Sequence, residues 1–216
     1  MSRLRLVYCL ALLTGAAACQ TAPPARPVEA GPRVVVEEAE PWRSVASERD
    51  ALALDGLPDR WRQALAAGRA ARLSRRIAAE GELLAPEARL ARAAPAPGTY
   101  RCRYVRPGGR KWVSSAPGYC YVGVEGGQLT LATELRGLRL GGYLWEPKGG
   151  DRLVFLGAAV PPGSRIPPAY GDDPARDSAG LVERIGEFRY RLTLPEPAPG
   201  AGLTLVEMVA APPAKG

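Results

Sequence analysis

The chain has 216 residues, enough for one ordinary domain with appendages, and its 46% hydrophobic and 24% charged content suits a protein with a real core. The formal charge of +7 rests mostly on arginines that do not interleave with aromatics, which argues against a nucleic-acid groove. There is no histidine, so a histidine-based catalytic triad is excluded, and 22 prolines with 25 glycines argue against long helices.

Residues 1–18 read as a secretion signal: Arg3 and Arg5, an apolar core from Leu6 to Leu13, and the small-residue exit Thr14-Gly15-Ala16-Ala17-Ala18. The apolar stretch is too short to span a bilayer, which takes about 20 residues. A small-residue run ending in Cys19 resembles the lipobox of bacterial lipoproteins, with Ala16 where that motif usually has Leu. The resemblance implies lipidation of Cys19, and Gln20 after it, in place of Asp, implies the outer membrane. Ordinary cleavage after Ala18, leaving a soluble periplasmic or secreted protein, also fits the Ala16-x-Ala18 pattern. Loss of Arg3 and Arg5 with the signal takes the charge from +7 to about +5.

Cys9 leaves with that signal and Cys19 takes lipid, so Cys102 and Cys120 remain as a pair. In an oxidising compartment a disulfide is their expected fate. Metal ligation is the poorer reading, since two thiolates without histidine make no site, and no cofactor is expected.

Residues 19–41, rich in Pro, Ala, Val and Glu without apolar period, read as a disordered tether. Residues 42–97 read as a helical segment and linker that pack on the C-terminal β domain. Ser47 with Asp50 marks a helix start, Leu52, Leu57, Trp61, Leu65 and Ala66 fall near helical spacing, and Pro58 is a break or first-turn residue. A second helical piece is expected from Leu73 to Glu80, and Pro86 to Pro97 as a surface linker.

From Gly98 the period changes to two, and residues 98–212 read as an antiparallel β domain. Tyr100, Cys102 and Tyr104 alternate with Arg101 and Arg103, and Cys120, Val122 and Val124 form a second strand. A hairpin around Pro107-Gly108-Gly109 would place the two cysteines opposite each other. Further strands are expected at 128–134, 138–145, 152–160, 181–185, 188–194 and 203–209. The predicted fold is thus α+β: an N-terminal helical segment, then about eight antiparallel strands in a small β-barrel or curled sheet, the barrel preferred.

Tyr-Arg-Cys-Arg at 100–103, Leu-Val-Phe-Leu-Gly at 153–157, Tyr-Gly-Asp-Asp at 170–173, Gly180 through Gly186, and Arg-Tyr-Arg-Leu at 189–192 occur in that order. Together they resemble the uncharacterised bacterial family called domain of unknown function 4893, over roughly residues 42–212. The resemblance implies an exported protein without an assigned activity. It supplies no catalytic residues. Glu134 to Arg139 departs from the family's Gly-Ser-Gln-Arg-Pro-like stretch.

The candidate ligand or partner surface is the polar run Tyr170, Asp172, Asp173, Arg176 and Asp177, with Glu183 and Arg184. Three carboxylates in six positions could gather Ca²⁺ or serve acid–base chemistry. The structural reading is stronger: Asp173-Pro174 as N-cap and N1 of a short helix, and Glu183 with Arg184 as a cross-strand charge pair. Trp61, Trp112 and Trp145 read as packing before pocket lining, and Ser114 and Ser115 have only Lys111 as a conceivable activator. An enzyme is therefore not expected. The expected role is an exported envelope lipoprotein of unknown biochemical activity, a structural module or one that binds another envelope protein. A small-molecule or lipid-binding barrel, and a periplasmic inhibitor-like domain, are the alternatives.

Overall fold

The computed structural model describes residues 40–107, 112–196 and 202–212. The chain divides into two units, Met1–Glu37 and Glu38–Gly216, and every described residue belongs to the second. The signal segment, Cys19, most of the tether, the Gly108–Gly109 turn and Lys111 lie outside the described residues.

A 3-10 turn at Pro41–Ser44 buries Trp42. Helix α1 (Glu48–Asp55) starts where Ser47 accepts the Asp50 N–H through Oγ at 3.2 Å. A cap of this kind contributes about 1 kcal/mol. Gly56 ends α1, and α2 (Leu57–Ala70) carries Pro58 in its first turn, where a missing N–H costs no helical bond. Helix α3 (Ser74–Ala79) and a 3-10 turn at Gly81–Leu83 follow. Trp61, Ala64, Leu65 and Gly68 form the buried stripe of α2. Leu52 and Ala66 of the expected stripe face solvent, because the interruption at Gly56 restarts the helical phase and Ala66 falls one residue off the new one.

Nine strands come next: β1 (Gly98–Arg106), β2 (Val113–Ser114), β3 (Gly118–Glu125), β4 (Gln128–Leu135), β5 (Leu138–Trp145), β6 (Leu153–Ala159), β7 (Asp177–Gly186), β8 (Arg189–Pro195) and β9 (Leu203–Ala210). All neighbours are antiparallel, and β1 pairs with both β3 and β9. Eight strands therefore close into a barrel, and the two-residue β2 pairs outside it with the end of β1. The β3–β4 turn is Gly126-Gly127, with φ of 58° and 85°, the positive values that a two-residue hairpin matched to strand twist requires.

Two apolar layers hold the chain together. The first fills the barrel, every strand of which contributes: Tyr100 and Cys102, Cys120, Leu131, Leu140, Phe155, Val182, Leu192 and Met208 among them. Gly142 and Gly157 are registered partners on β5 and β6, and a Cβ on Gly142 would fall 2.3 Å from the Gly157 Cα. Glycine at both positions lets these strands approach where the Phe155 ring fills the interior. The second layer lies outside the barrel, where Leu54, Leu57, Trp61 and Leu83 pack on Val154, Leu181, Leu203 and Leu205. Each such side chain contributes roughly 1.5–3 kcal/mol on burial. Strands β6 and β8 are consequently buried on both faces, whereas β3 alternates Tyr119 and Tyr121 outward with Cys120 and Val122 inward.

Several expectations are corrected. Val124 is exposed, being at the strand end next to the β3–β4 turn. Phe188 does not open β8: it sits in a turn at φ 51° and is exposed, because the register shifts between Arg184 and Gly186. Strand β7 begins at Asp177, four residues before the expected strand. The cysteines do form a disulfide, but diagonally: Cys102 is registered with Gly118 and Cys120 with Tyr100, their Cα atoms 5.9 Å apart.

The bond closes a loop with a sequence separation of 18. Cys102→Ser should lower unfolding free energy by roughly 3 kcal/mol in the chain-entropy account. Denaturant titration measures this, and two free thiols in unreduced, unfolded wild type would contradict the bond itself.

Candidate functional site

The seven sequence-selected residues do not converge. Tyr170 Oη donates to Asp50 Oδ2 at 2.6 Å and accepts from the Ser47 N–H at 3.0 Å, which ties the β6–β7 connection to the start of α1. Asp173-Pro174 caps no helix. The backbone turns there instead, with Asp173 Oδ1 accepting the Ala175 N–H and Asp173 pairing with Arg176 at 3.0 Å. Asp177 accepts from the Gly171 N–H, and Asp172 is exposed. Glu183 and Arg184 make no pair, since consecutive strand residues point to opposite faces. Arg184 donates to the Ala91 carbonyl at 3.0 Å, and Glu183 turns outward under the helical layer.

The partner of Glu183 is Arg191, its registered neighbour on β8. The Arg191 guanidinium is wholly buried, and its Nε and Nη2 donate to Glu183 Oε2 at 3.2 and 2.6 Å. Nη1 donates to the carbonyls of Glu82, Leu83 and Ala85, Nη2 reaches the Pro86 carbonyl, and the cation lies 4.5 Å from the Trp61 ring centroid. Burial pulls the Arg191 pKa below its ordinary value, and the Glu183 charge opposes that pull. Period two along β8, with Tyr190 and Leu192 in the barrel interior, puts Arg191 on the outer face. It carries no sign that the outer face is covered there.

Two clefts adjoin these networks, each of about 310 Å³. One, lined by Arg49, Asp50, Arg60, Asp177 and Glu196, lies between α1 and the barrel. The other, lined by Leu54, Leu57, Trp61, Arg89, Arg152 and Glu183, lies over β7. Asp177 and Glu183 thus border different clefts. Trp61 is buried, while Trp112 and Trp145 pack half-buried against the same outer layer. Ser115 Oγ accepts the Tyr104 N–H, and Ser114 is exposed on β2. Glu134 and Arg139 are registered partners flanking the tight Arg136-Gly137 turn. Tyr119, Tyr121 and Tyr143 are exposed on the flank formed by β3 to β5, which the helices leave uncovered.

Burial pushes the Asp50 carboxyl upward, but hydrogen bonds from Arg49, Tyr170 and Ser47 outweigh it and hold the group below the usual aspartate range. Burial and the Asp50 bond push the Tyr170 hydroxyl up in turn. A lowered folded pKa gives stability that is present above the unfolded value of about 4 and is lost as pH falls through the folded one. Asp50→Asn should therefore cost about 1–3 kcal/mol at pH 7, with the gap to wild type closing below about pH 4. Denaturant midpoints across that range measure it, and a gap independent of pH would contradict the assignment.

Neither a curated protein nor a solved structure matches the chain. A family model described as "Domain of unknown function (DUF4893)" matches residues 42–208, from the buried Trp42 to the last barrel strand. The matched span takes in the helical layer, the disulfide and the Arg191–Glu183 pair. The chain is a member of the DUF4893 family.

Proposed function

We propose that this protein is an exported envelope lipoprotein, held by a lipid on Cys19, that acts as a rigid interaction module and not as a catalyst. The observation that carries the reading is the Cys102–Cys120 disulfide inside the barrel. Such a bond forms and persists in oxidising compartments, and the small-residue run ending at Cys19 supplies a route there.

The barrel interior bears on the role. A closed barrel of eight strands is just wide enough for side chains to fill, and here Tyr100, Phe155, Leu192 and Met208 occupy it together with residues from every other strand. That packing leaves recognition to the outer surface. The exposed tyrosines of β3 and β5 favour a protein partner, because aromatic residues are enriched at protein interfaces. A lipid-container reading has no comparable support.

Cys19→Ala should move the protein from the membrane pellet to the soluble exported fraction, and cell fractionation with immunoblotting reads this out. Unchanged pelleting of the variant would contradict the anchor. An uncut N-terminus in the cytosol would contradict export.

A further inference from the structure

The outer-layer cleft over β7 has a chemistry that the interaction role leaves unused. Its apolar walls include Leu54, Leu57 and Leu181, and its charged groups are Glu183, Asp55, Arg89 and Arg152, with Asp55 already held by Arg43. The Glu183 side chain is only 7% exposed, and both Arg191 bonds end on the same oxygen, Oε2. A carboxylate has acceptor capacity on both oxygens, and leaving one unmet in an apolar surrounding is costly. Among the described residues, Thr193 Oγ1 is the one sealed side-chain polar atom without a partner. Among the described residues no hydrogen bond reaches Glu183 Oε1, and Glu183 lines the cleft.

Register supplies the second half. Leu153 pairs with Val182 and Val154 with Leu181, so one further step would set Arg152 opposite Glu183. Cross-strand neighbours have Cβ atoms about 5 Å apart. Arg152 instead turns to Asp151 at 3.5 Å, and Asp151 also holds Arg89 at 3.0 Å. Two guanidiniums share one carboxylate at the rim, and both are more than a third exposed, free to reorient. The cleft thus sets a carboxylate oxygen without a protein donor beside two arginines that share one carboxylate, between apolar walls.

We propose that this cleft binds the zwitterion of a free α-amino acid with an apolar side chain. The ammonium donates to Glu183 Oε1, the carboxylate meets Arg152 and Arg89, and the side chain lies against Leu54, Leu57 and Leu181. The volume of about 310 Å³ is at the small end for ligand pockets and suits a ligand of that size. A simple anion would face the Glu183 charge, a simple cation would face the arginines, and an apolar molecule would leave Oε1 unmet. This goes beyond the envelope role and stands independently of the lipid anchor.

Isothermal titration calorimetry on the purified full chain tests it, with L-leucine and L-phenylalanine as probes beside N-acetyl-leucine and leucinamide. Both amino acids should bind, and each derivative, lacking one charge, should bind at least about tenfold more weakly. Arg152→Ala should weaken L-leucine about tenfold while the melting temperature stays unchanged, since its own ion pair is solvent-exposed. Glu183→Gln should weaken the ammonium contact, with its fold checked by circular dichroism. No heat from either amino acid at about 10 mM, equal affinity for the derivatives, or an Arg152→Ala variant that binds like wild type would each overturn the proposal.

Discussion

One buried cation holds the two layers of this protein together. Arg191 stands on the outer face of β8, roofed by the turn that follows α3, and it satisfies the carbonyls of Glu82, Leu83, Ala85 and Pro86. Those carbonyls lie in and just after a short 3-10 turn, where those of Glu82 and Ala85 also accept the Ala85 and Ala88 N–H groups. Leu83 and Leu84 beside them are fully or nearly fully buried, so water is a poor substitute. A guanidinium suits the task because its five donors fan out in a plane, whereas an ammonium would meet fewer acceptors as a compact point charge. Glu183 neutralises the charge and Trp61 covers it. Burying two ions is costly, and the pair holds only because nearly all of its donors are used.

The pair also explains the uneven character of the strands. Where the helical layer covers the barrel, a strand is buried on both faces, as Leu-Val-Phe-Leu is in β6. Where it does not, the strand alternates, as Tyr119, Cys120, Tyr121 and Val122 do. Both Arg191 bonds fall on one oxygen of Glu183, which also lines the cleft over β7, so a structural ion pair and a cleft share a residue. The Ser47–Asp50–Tyr170 network fastens a second point, joining the start of α1 to the β6–β7 connection.

Much of the architecture was legible from local pattern. Period-two alternation located barrel strands, Leu138 to Trp145 matched to the residue, Ser47 marked a helix start through capping chemistry, and Pro58, read as a break or first-turn residue, falls in the first turn of α2. The two cysteines were identified as partners by elimination, but their diagonal placement depends on a register that alternation alone does not specify. The candidate site was less legible. An arginine on the outer face of a strand reads the same whether water or a helix lies above it, so nothing local singles out Arg191. Glu183 drew attention through its neighbour Arg184, yet its partner is eight residues away across the hairpin. The acidic run at 172–177 was singled out for its composition, and its carboxylates mostly bind their own loop. Long-range contacts determine burial, and no local spacing reports them.

The central claim is that Arg191 and Glu183 act as one unit clamping the helical layer to the barrel. A double-mutant cycle with Arg191→Met and Glu183→Leu, read by denaturant unfolding, tests it most directly. Each single change should cost about 3–5 kcal/mol by leaving a buried charge unpaired. The double variant should cost less than their sum by at least about 2 kcal/mol. Additive losses would contradict the account, because they would mean that the two side chains contribute separately.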